Sequence, residues 1–155
     1  MKWSEVIEHP SLQDLPFKIE LNEYGQIVMT PAKNIHGRYQ VKIANLLESQ
    51  LPDGEAITEC SIQTSKGVKV ADVAWCSAEF IKQHGYETPY SRAPAICVEI
   101  ISSGNSPKEM QEKVALYLKA GAKEVWLISE KGEIEFYDGR GKISQSSSTL
   151  SDLSD

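Results

Sequence analysis

Three charged residues interrupt segments that are otherwise apolar, and they are the side chains of this sequence best suited to chemistry. Asp72 lies in the alternating run 68–75, on the strand face whose other positions are apolar. Glu99 is the one charged residue within the run 96–101. At about 100° per residue, Lys113 falls inside the apolar arc of a predicted helix. Each residue therefore breaks the pattern of a different core element, which is typical of a functional site.

Two buried carboxylates and one buried amine suggest a specific chemistry. A lone buried acid costs several kcal/mol unless a partner neutralises it. Asp72 and Glu99 could share a divalent cation, and hard oxygen ligands favour Mg²⁺ or Mn²⁺. A lysine beside such an ion, here Lys113, could position or deprotonate a water and stabilise charge that develops on a phosphate.

A purely structural interpretation of the same residues stays open. Asp72 could accept a hydrogen bond from a backbone N–H at a strand end. Glu99 could form an ion pair with Lys113, which Glu109 could share from one helical turn earlier. For a single buried acid this interpretation is favoured, since structural ion pairs are common. The three residues together favour a site, because a second acid beside a bare ion pair is costly to bury.

The elements that must position these side chains follow from periodicity and turn signals. The sequence predicts a short helix over 3–9, a β-hairpin of 18–22 and 26–30, a helix over 35–51, strands over 55–64 and 68–76, a short helix over 77–84, a buried strand over 95–101, a helix from Pro107 to Ala120, a strand over 124–129, and a hairpin of 133–137 and 142–145. The passage 95–128 predicts a crossover between parallel strands. The expected fold is α/β (α+β), with a central mixed β-sheet flanked by helices and an N-terminal β-hairpin. We expect one domain over residues 1–145 and a flexible tail over 146–155.

Composition narrows the class of protein. The 155 residues are 41% hydrophobic and 25% charged, which excludes a disordered acidic tail, a collagen-like fibre and a disulfide-stapled miniprotein. The net charge of −6 argues against a protein that coats nucleic acid by bulk electrostatics, so DNA contact would be local and helped by a divalent cation. Three widely spaced cysteines predict buried thiols, no structural zinc and a cytoplasmic location. The sequence predicts neither a signal peptide nor a membrane span.

At these residues the chain resembles a known family. The two acidic strands resemble the PD-(D/E)xK nuclease core, and most of the chain more closely resembles the Uma family of restriction endonucleases. The segments that carry this resemblance are Ile19-Glu20-Leu21 to Met29-Thr30-Pro31, His36-Gly37-Arg38, Ala71-Asp72-Val73, Val98-Glu99-Ile100, Glu112-Lys113 with Tyr117, and Gly121 to Ile128. The order of acidic strand, acidic strand, Glu-Lys helix and Trp-Leu strand is more specific than the three-residue motif alone. The resemblance implies a restriction-endonuclease-like core.

The resemblance also implies a mechanism, with two departures. Ala71 stands where the motif has proline, and Ile101 stands where its lysine is expected, so the lysine role would move to Lys113. Asp72 and Glu99, with the Ile100 backbone carbonyl, would hold Mg²⁺ or Mn²⁺ against a scissile phosphate. Lys113 would orient the water that hydrolyses the phosphodiester.

Two further residues, His36 and Glu20, are secondary candidates for the site. His36 begins the first long helix and could contact phosphate or a metal-bound water, although such a histidine is more often a surface or capping residue. Glu20 could approach the metal or form a salt bridge specific to the fold. Positive charge near the site could come from basic residues, each of which is by default a solvated surface residue; these are Lys33, Arg38, Lys42, Lys66 and Lys69.

The expected function is therefore a metal-dependent endonuclease that hydrolyses DNA phosphodiester bonds, with a homodimer as the expected assembly. The alternative is a non-catalytic nuclease-fold module that binds nucleic acid or a protein. In a third interpretation, Asp72, Glu99 and Lys113 neutralise one another in a plain scaffold.

Overall fold

The computed structural model describes residues 1–147. Its helices and strands occur in the predicted order. The elements are α1 (Trp3–Glu8), a 3₁₀ turn (Pro10–Leu12), β1 (Phe17–Leu21), β2 (Ile27–Pro31), α2 (Asn34–Gln50), β3 (Gly54–Thr64), β4 (Gly67–Ser77), α3 (Ala78–His84), β5 (Ile96–Ile100), α4 (Pro107–Ala120), β6 (Glu124–Ile128), β7 (Ile134–Asp138) and β8 (Gly141–Ile143).

The central sheet has six strands in the order β3-β4-β5-β6-β7-β8, and β1 and β2 pair as a separate antiparallel hairpin. Strands β5 and β6 run parallel, joined by α4, whereas the other neighbouring pairs of the sheet are antiparallel. The predicted mixed sheet with an N-terminal hairpin is thus confirmed.

Helices cover both faces of the sheet. On one face, α2 contributes Ile43 and Leu47 to an apolar cluster with Trp126 of β6. On the opposite face, Val114 and Tyr117 of α4 pack in a second cluster. Every residue of β5 is buried, as its apolar run predicted for a strand covered on both sides.

Local capping rules fix the ends of the helices. The Ser77 Oγ accepts a hydrogen bond from the Phe80 N–H at 3.0 Å, and the Ser106 Oγ accepts one from the Glu109 N–H at 3.1 Å. Gly121 ends α4 with φ of +121°, a conformation that few residues other than glycine adopt.

The hairpin β1–β2 packs against the central sheet through a small contact. Leu21 of β1 and Val68 of β4 bury against Val6 of α1. The turn between β3 and β4 approaches the hairpin so closely that a Cβ on Gly67 (φ +91°) would collide with the carbonyl oxygens of Leu21 and Asn22. This contact fixes where β1 lies relative to β4.

The end of the described chain, Ser146 and Ser147, contacts the central sheet. The hydroxyls of Ser146 and Ser147 each donate a hydrogen bond of 2.7 Å to the carboxylate of Glu124, which is buried in β6. Ser146 and Ser147 are therefore held against the sheet, because a buried carboxylate needs donors. The rest of the predicted tail, 148–155, lies outside the described residues.

Two further expectations concern the cysteines and membrane spans. Cys60, Cys76 and Cys97 are free and buried, as predicted. None of the helices between residues 1 and 147 has the length and apolar character needed to cross a membrane.

Candidate active site

The site forms where β4 and β5 separate. Their ladder ends at the pair Val73 and Val98, and the next step of the same register would pair Asp72 with Glu99. Here the Asp72 Oδ2 accepts the Ile100 N–H at 2.7 Å. Asp72 thus accepts a hydrogen bond from a backbone donor at a strand end, as the structural interpretation anticipated. Its other oxygen, Oδ1, accepts a hydrogen bond from the Lys18 Nζ, which also contacts Glu99.

Glu99 lies at the centre of the site, and its side chain is 2% exposed. Its Oε1 accepts a hydrogen bond from the Lys18 Nζ at 2.7 Å, and its Oε2 accepts one from the Tyr117 OH at 2.7 Å. The Lys113 Nζ lies 3.3 Å from the same Oε2. Glu99 is therefore neutralised by two lysines and a tyrosine.

Lys113 joins Glu99 to the hairpin. Its Nζ donates to the Glu20 Oε2 at 2.8 Å, and that oxygen also accepts the Val70 N–H at 2.7 Å. The structure thus brings together Asp72, Glu99, Lys113 and Glu20 from four different elements. Of the two possibilities raised for Glu20, the structure shows the salt bridge. Glu109 hydrogen-bonds to Asn105 and does not share Lys113.

Lys18 is the member of the site that sequence reasoning missed. Its Nζ bridges the Asp72 Oδ1, at 3.2 Å, and the Glu99 Oε1, and its side chain is 12% exposed. The available signal was its spacing, because Lys18 and Glu20 are two residues apart on β1 and therefore share a face. We call Lys18, Glu20, Asp72, Glu99 and Lys113 the charged cluster.

The charged cluster shifts the pKa values of its members. Burial and the neighbouring Glu99 raise the pKa of Asp72 to about 7, against the opposing pull of Lys18. Burial would also raise the pKa of Glu99, but Lys113, Lys18 and the Tyr117 hydroxyl together hold it well below its usual range. Burial would lower the pKa of Lys18, yet the three carboxylates of the cluster raise it. The two acids therefore titrate very differently.

A residue of α2 supports Asp72 from behind. The Gln40 Nε2 donates to the Asp72 backbone carbonyl at 3.0 Å and to the Glu59 Oε1 at 2.7 Å. Glu59 lies in β3 between Thr58 and Cys60, which pair with the two neighbours of Asp72 in β4, and its φ is +53°. Such a backbone conformation is strained for a non-glycine residue, and strain of this kind clusters at functional sites. Gln40 and Glu59 gave no signal in the sequence.

The charged cluster lies in a cleft of about 1000 Å³. The cleft is walled by β1 and β2, by the start of α2, by the loop after β5 and by α4, and Asp72, Glu99 and Ile100 line it. Of the five basic residues named from the sequence, three line the cleft and two do not. Those that line it are Lys33, Lys66 and Lys69, and those that do not are Arg38 and Lys42.

His36 lines the cleft at the first turn of α2 but does not contact the charged cluster. Its Nδ1 accepts the Lys33 N–H at 3.4 Å, and its buried Nε2 has no hydrogen-bond partner within residues 1–147. Burial lowers the pKa of His36. The histidine thus uses one ring nitrogen at the start of α2, and its other ring nitrogen makes no hydrogen bond to the described residues.

Asp72 and Glu99 are the two carboxylates of the charged cluster that could share one cation. Asp72 Oδ1 and Glu99 Oε1 both lie within hydrogen-bond distance of one nitrogen, so they converge on a single cation position. No cluster of three or more histidine, cysteine or acidic side chains in residues 1–147 has the arrangement of a metal site. Mg²⁺, however, commonly uses only one or two carboxylates and completes its shell with water, and this pair supplies them.

The chain is similar to a family of known sequences and to a solved structure. Residues 3–153 match the sequence model of the Uma2 family, described as "Putative restriction endonuclease". A crystal structure described as a "putative nuclease belonging to DUF820", from Anabaena variabilis, superposes with a TM-score of 0.70. The two sequences are 19% identical, and the match covers 91% of this chain and 80% of that one, so it shows a common fold. No curated protein matches this chain.

Proposed function

This chain belongs to the Uma2 family of restriction-endonuclease-like proteins, and on that premise we propose that it is a metal-dependent endonuclease that hydrolyses DNA phosphodiester bonds. The observation that carries the proposal is the convergence of Asp72 and Glu99 on one cation position at the bottom of a cleft. Two acids from separating strands beside a lysine form a suitable arrangement for metal-assisted hydrolysis of a phosphodiester.

In this proposal Asp72 and Glu99 hold Mg²⁺ or Mn²⁺, with the Ile100 carbonyl as a third oxygen from the same strand end. When bound, the ion would polarise a phosphate oxygen and lower the pKa of a water. Tyr117 and the Ile100 N–H fix the orientations of Glu99 and Asp72, respectively. The carboxylates are thus held in place before the substrate arrives.

Lys113 acts as the donor that orients the attacking water. An ammonium has three donors, and two of those of Lys113 are directed to Glu20 and Glu99. The third is left for a water or for a phosphate oxygen in the cleft. Glu20 is then a positioning residue, because it holds Lys113 from the hairpin side.

The cleft gives the DNA backbone a local binding surface despite the net charge of −6. Lys33, Lys66 and Lys69 line the cleft and can contact phosphates, with Lys33 and Lys66 exchanging their exposed ion pairs with Glu130 and Glu112 for the DNA backbone. The proposal includes a homodimer, since a cut through both strands would use two such sites.

The test is cleavage of a labelled duplex with Mn²⁺ or Mg²⁺, compared with EDTA. We expect cleavage in the presence of the ion, with loss of about a hundredfold or more in both Asp72→Asn and Glu99→Gln. Glu135→Gln is the matched control, because it removes a carboxylate from an exposed ion pair with Lys142 that does not line the cleft. A wild-type protein that binds Mn²⁺ but cleaves no nucleic acid contradicts the proposal.

A second candidate is the non-catalytic binding module. It is favoured by the completeness of the charged cluster, in which all three carboxylates already have lysine partners. In that case the protein would retard DNA without cutting it, and Mn²⁺ would leave the melting temperature unchanged. In the endonuclease, Mn²⁺ raises the melting temperature, and Asp72→Asn abolishes the increase.

A further inference from the structure

Lys18 occupies the position at which the two proposed metal ligands converge. Its Nζ lies 2.7 Å from the Glu99 Oε1 and 3.2 Å from the Asp72 Oδ1. Lys113 touches Glu99 only through the other oxygen, Oε2, and makes no ion pair with Asp72. Of the two lysines of the charged cluster, Lys18 is thus the one that contacts both Asp72 and Glu99.

We propose, resting on the metal-dependent function above, that Lys18 is an internal cation that competes with the divalent ion for Asp72 and Glu99. In the free protein its ammonium forms ion pairs with both carboxylates, and it leaves them when the ion binds. Lys18 therefore sets the metal affinity of the site and acts as a positioning residue.

Charge balance explains why both cations cannot stay. The charged cluster holds three carboxylates and two ammonium groups, so it carries one net negative charge when all five are ionised. A divalent ion would reverse that sign within a largely buried space, where like charges repel strongly. Withdrawal of Lys18 restores the balance and frees the oxygens on which the ion depends.

The structure has space next to Lys18 into which its side chain can rotate. Besides the cleft, Lys18 lines a second cavity of about 430 Å³ between α1, β1, β3 and the loop after α3. Glu59 lines both cavities, and Glu87 lines the second one. A lysine has a flexible four-carbon stem, so rotation of that stem can move the ammonium towards these acids without movement of β1.

The experiment is a calorimetric titration of Mn²⁺ into the full chain and its lysine variants. We expect Lys18→Met to bind Mn²⁺ at least about tenfold more tightly than the wild type, because the competing charge is gone. Lys113→Met should change the affinity less, and Lys142→Met, which alters an exposed ion pair outside the cleft, should leave it unchanged. An unchanged or weaker affinity in Lys18→Met, or equal gains in the Lys18 and Lys113 variants, overturns the inference.

A measurement on the unaltered protein guards against a variant that fails to fold. In the free protein the Lys18 ammonium should give a slowly exchanging Nζ signal in ¹⁵N-lysine NMR, since it is buried between two carboxylates. We expect Mg²⁺ to abolish that slow exchange and to leave the signal of Lys113 protected. A Lys18 signal that keeps its protection in saturating Mg²⁺ overturns the inference.

The same titrations separate the two proposals. Binding of Mn²⁺ to the wild type with no gain in Lys18→Met rejects the competition alone. Absence of binding in both the wild type and Lys18→Met rejects the metal-dependent function and the competition with it.

Discussion

Glu99 is the carboxylate on which the charged cluster depends most, because two lysines and a tyrosine hydroxyl converge on it. Asp72 shares one of those lysines and otherwise accepts a single backbone N–H. The two acids occupy equivalent positions on neighbouring strands, yet their loss should affect the fold unequally.

Glu99→Gln should lower the free energy of unfolding by about 3 kcal/mol in the absence of metal, since it leaves two buried ammonium groups short of a counter-charge. Urea denaturation at neutral pH measures this difference. Glu135 provides the control, as Glu135→Gln removes its ion pair with Lys142 while the amide oxygen can still accept from the Tyr137 hydroxyl, and it should cost less than about 1 kcal/mol. Equal effects of the two substitutions would contradict the central role of Glu99.

Asp72 should make the metal-free protein less stable as the pH rises. Its pKa in the folded protein, about 7, lies above the ordinary value of 3.8, so the folded state retains the proton more strongly. This contribution to stability is complete below pH 4 and is lost as the pH rises through 7. In EDTA, the stability of the wild type should therefore fall relative to Asp72→Asn between pH 5 and 8. Parallel pH profiles for the two proteins would refute the assignment.

At the scale of the elements, the hairpin β1–β2 is positioned by the turn between β3 and β4. Gly67 lies in that turn with positive φ, and a Cβ there would meet the hairpin backbone. Gly67→Ala should cost about 2 kcal/mol and tighten Mn²⁺ binding, because it displaces β1 and with it the competing ammonium of Lys18. Gly139→Ala, in the turn between β7 and β8, is the control, since nothing lies within 4 Å of its Cβ position. Chemical denaturation and calorimetry of both variants test this dependence.

The elements were predictable to the extent that local rules determine them. Ser77, Pro107 and Gly121 are cap residues whose effect acts over a few positions, and the helices begin or end at them as expected. Asp72 and Glu99 were visible because an acid in an apolar run has an obvious cost. Lys18 was not, because a charged residue in an alternating hairpin is usually solvated, and its burial depends on Glu99, 81 residues away in sequence.

At the scale of the whole molecule, the end of the described chain is part of the fold. The Ser146 and Ser147 hydroxyls and the Ser147 N–H donate to Glu124, which also accepts a hydrogen bond from the Trp126 indole. The serine-rich composition of this segment is typical of a tail, and its contact with β6 joins residues 22 positions apart in sequence.

A chain that ends at residue 145 should therefore be less stable than one that ends at 147, by about 2 kcal/mol, because the buried Glu124 loses three donors. Thermal and urea unfolding of the two truncated chains measures the difference. Glu124→Gln in the shorter chain should recover part of it, since a neutral amide leaves no underpaired buried charge. Equal stability of the two truncations would place the boundary of the fold at 145.

The local stability of the hairpin β1–β2 should depend on whether the cleft is occupied. It contributes Lys18 and Glu20 to the charged cluster, while its apolar anchor to the sheet is the small group of Val6, Leu21 and Val68. The ion pairs of Lys18 and Glu20 therefore contribute much of the contact between the hairpin and the rest of the fold, and a bound ion would rearrange these same pairs. Amide hydrogens of residues 17–31 should consequently exchange with solvent at a rate that reports occupancy of the cleft, while those of β5 and β6 stay protected throughout.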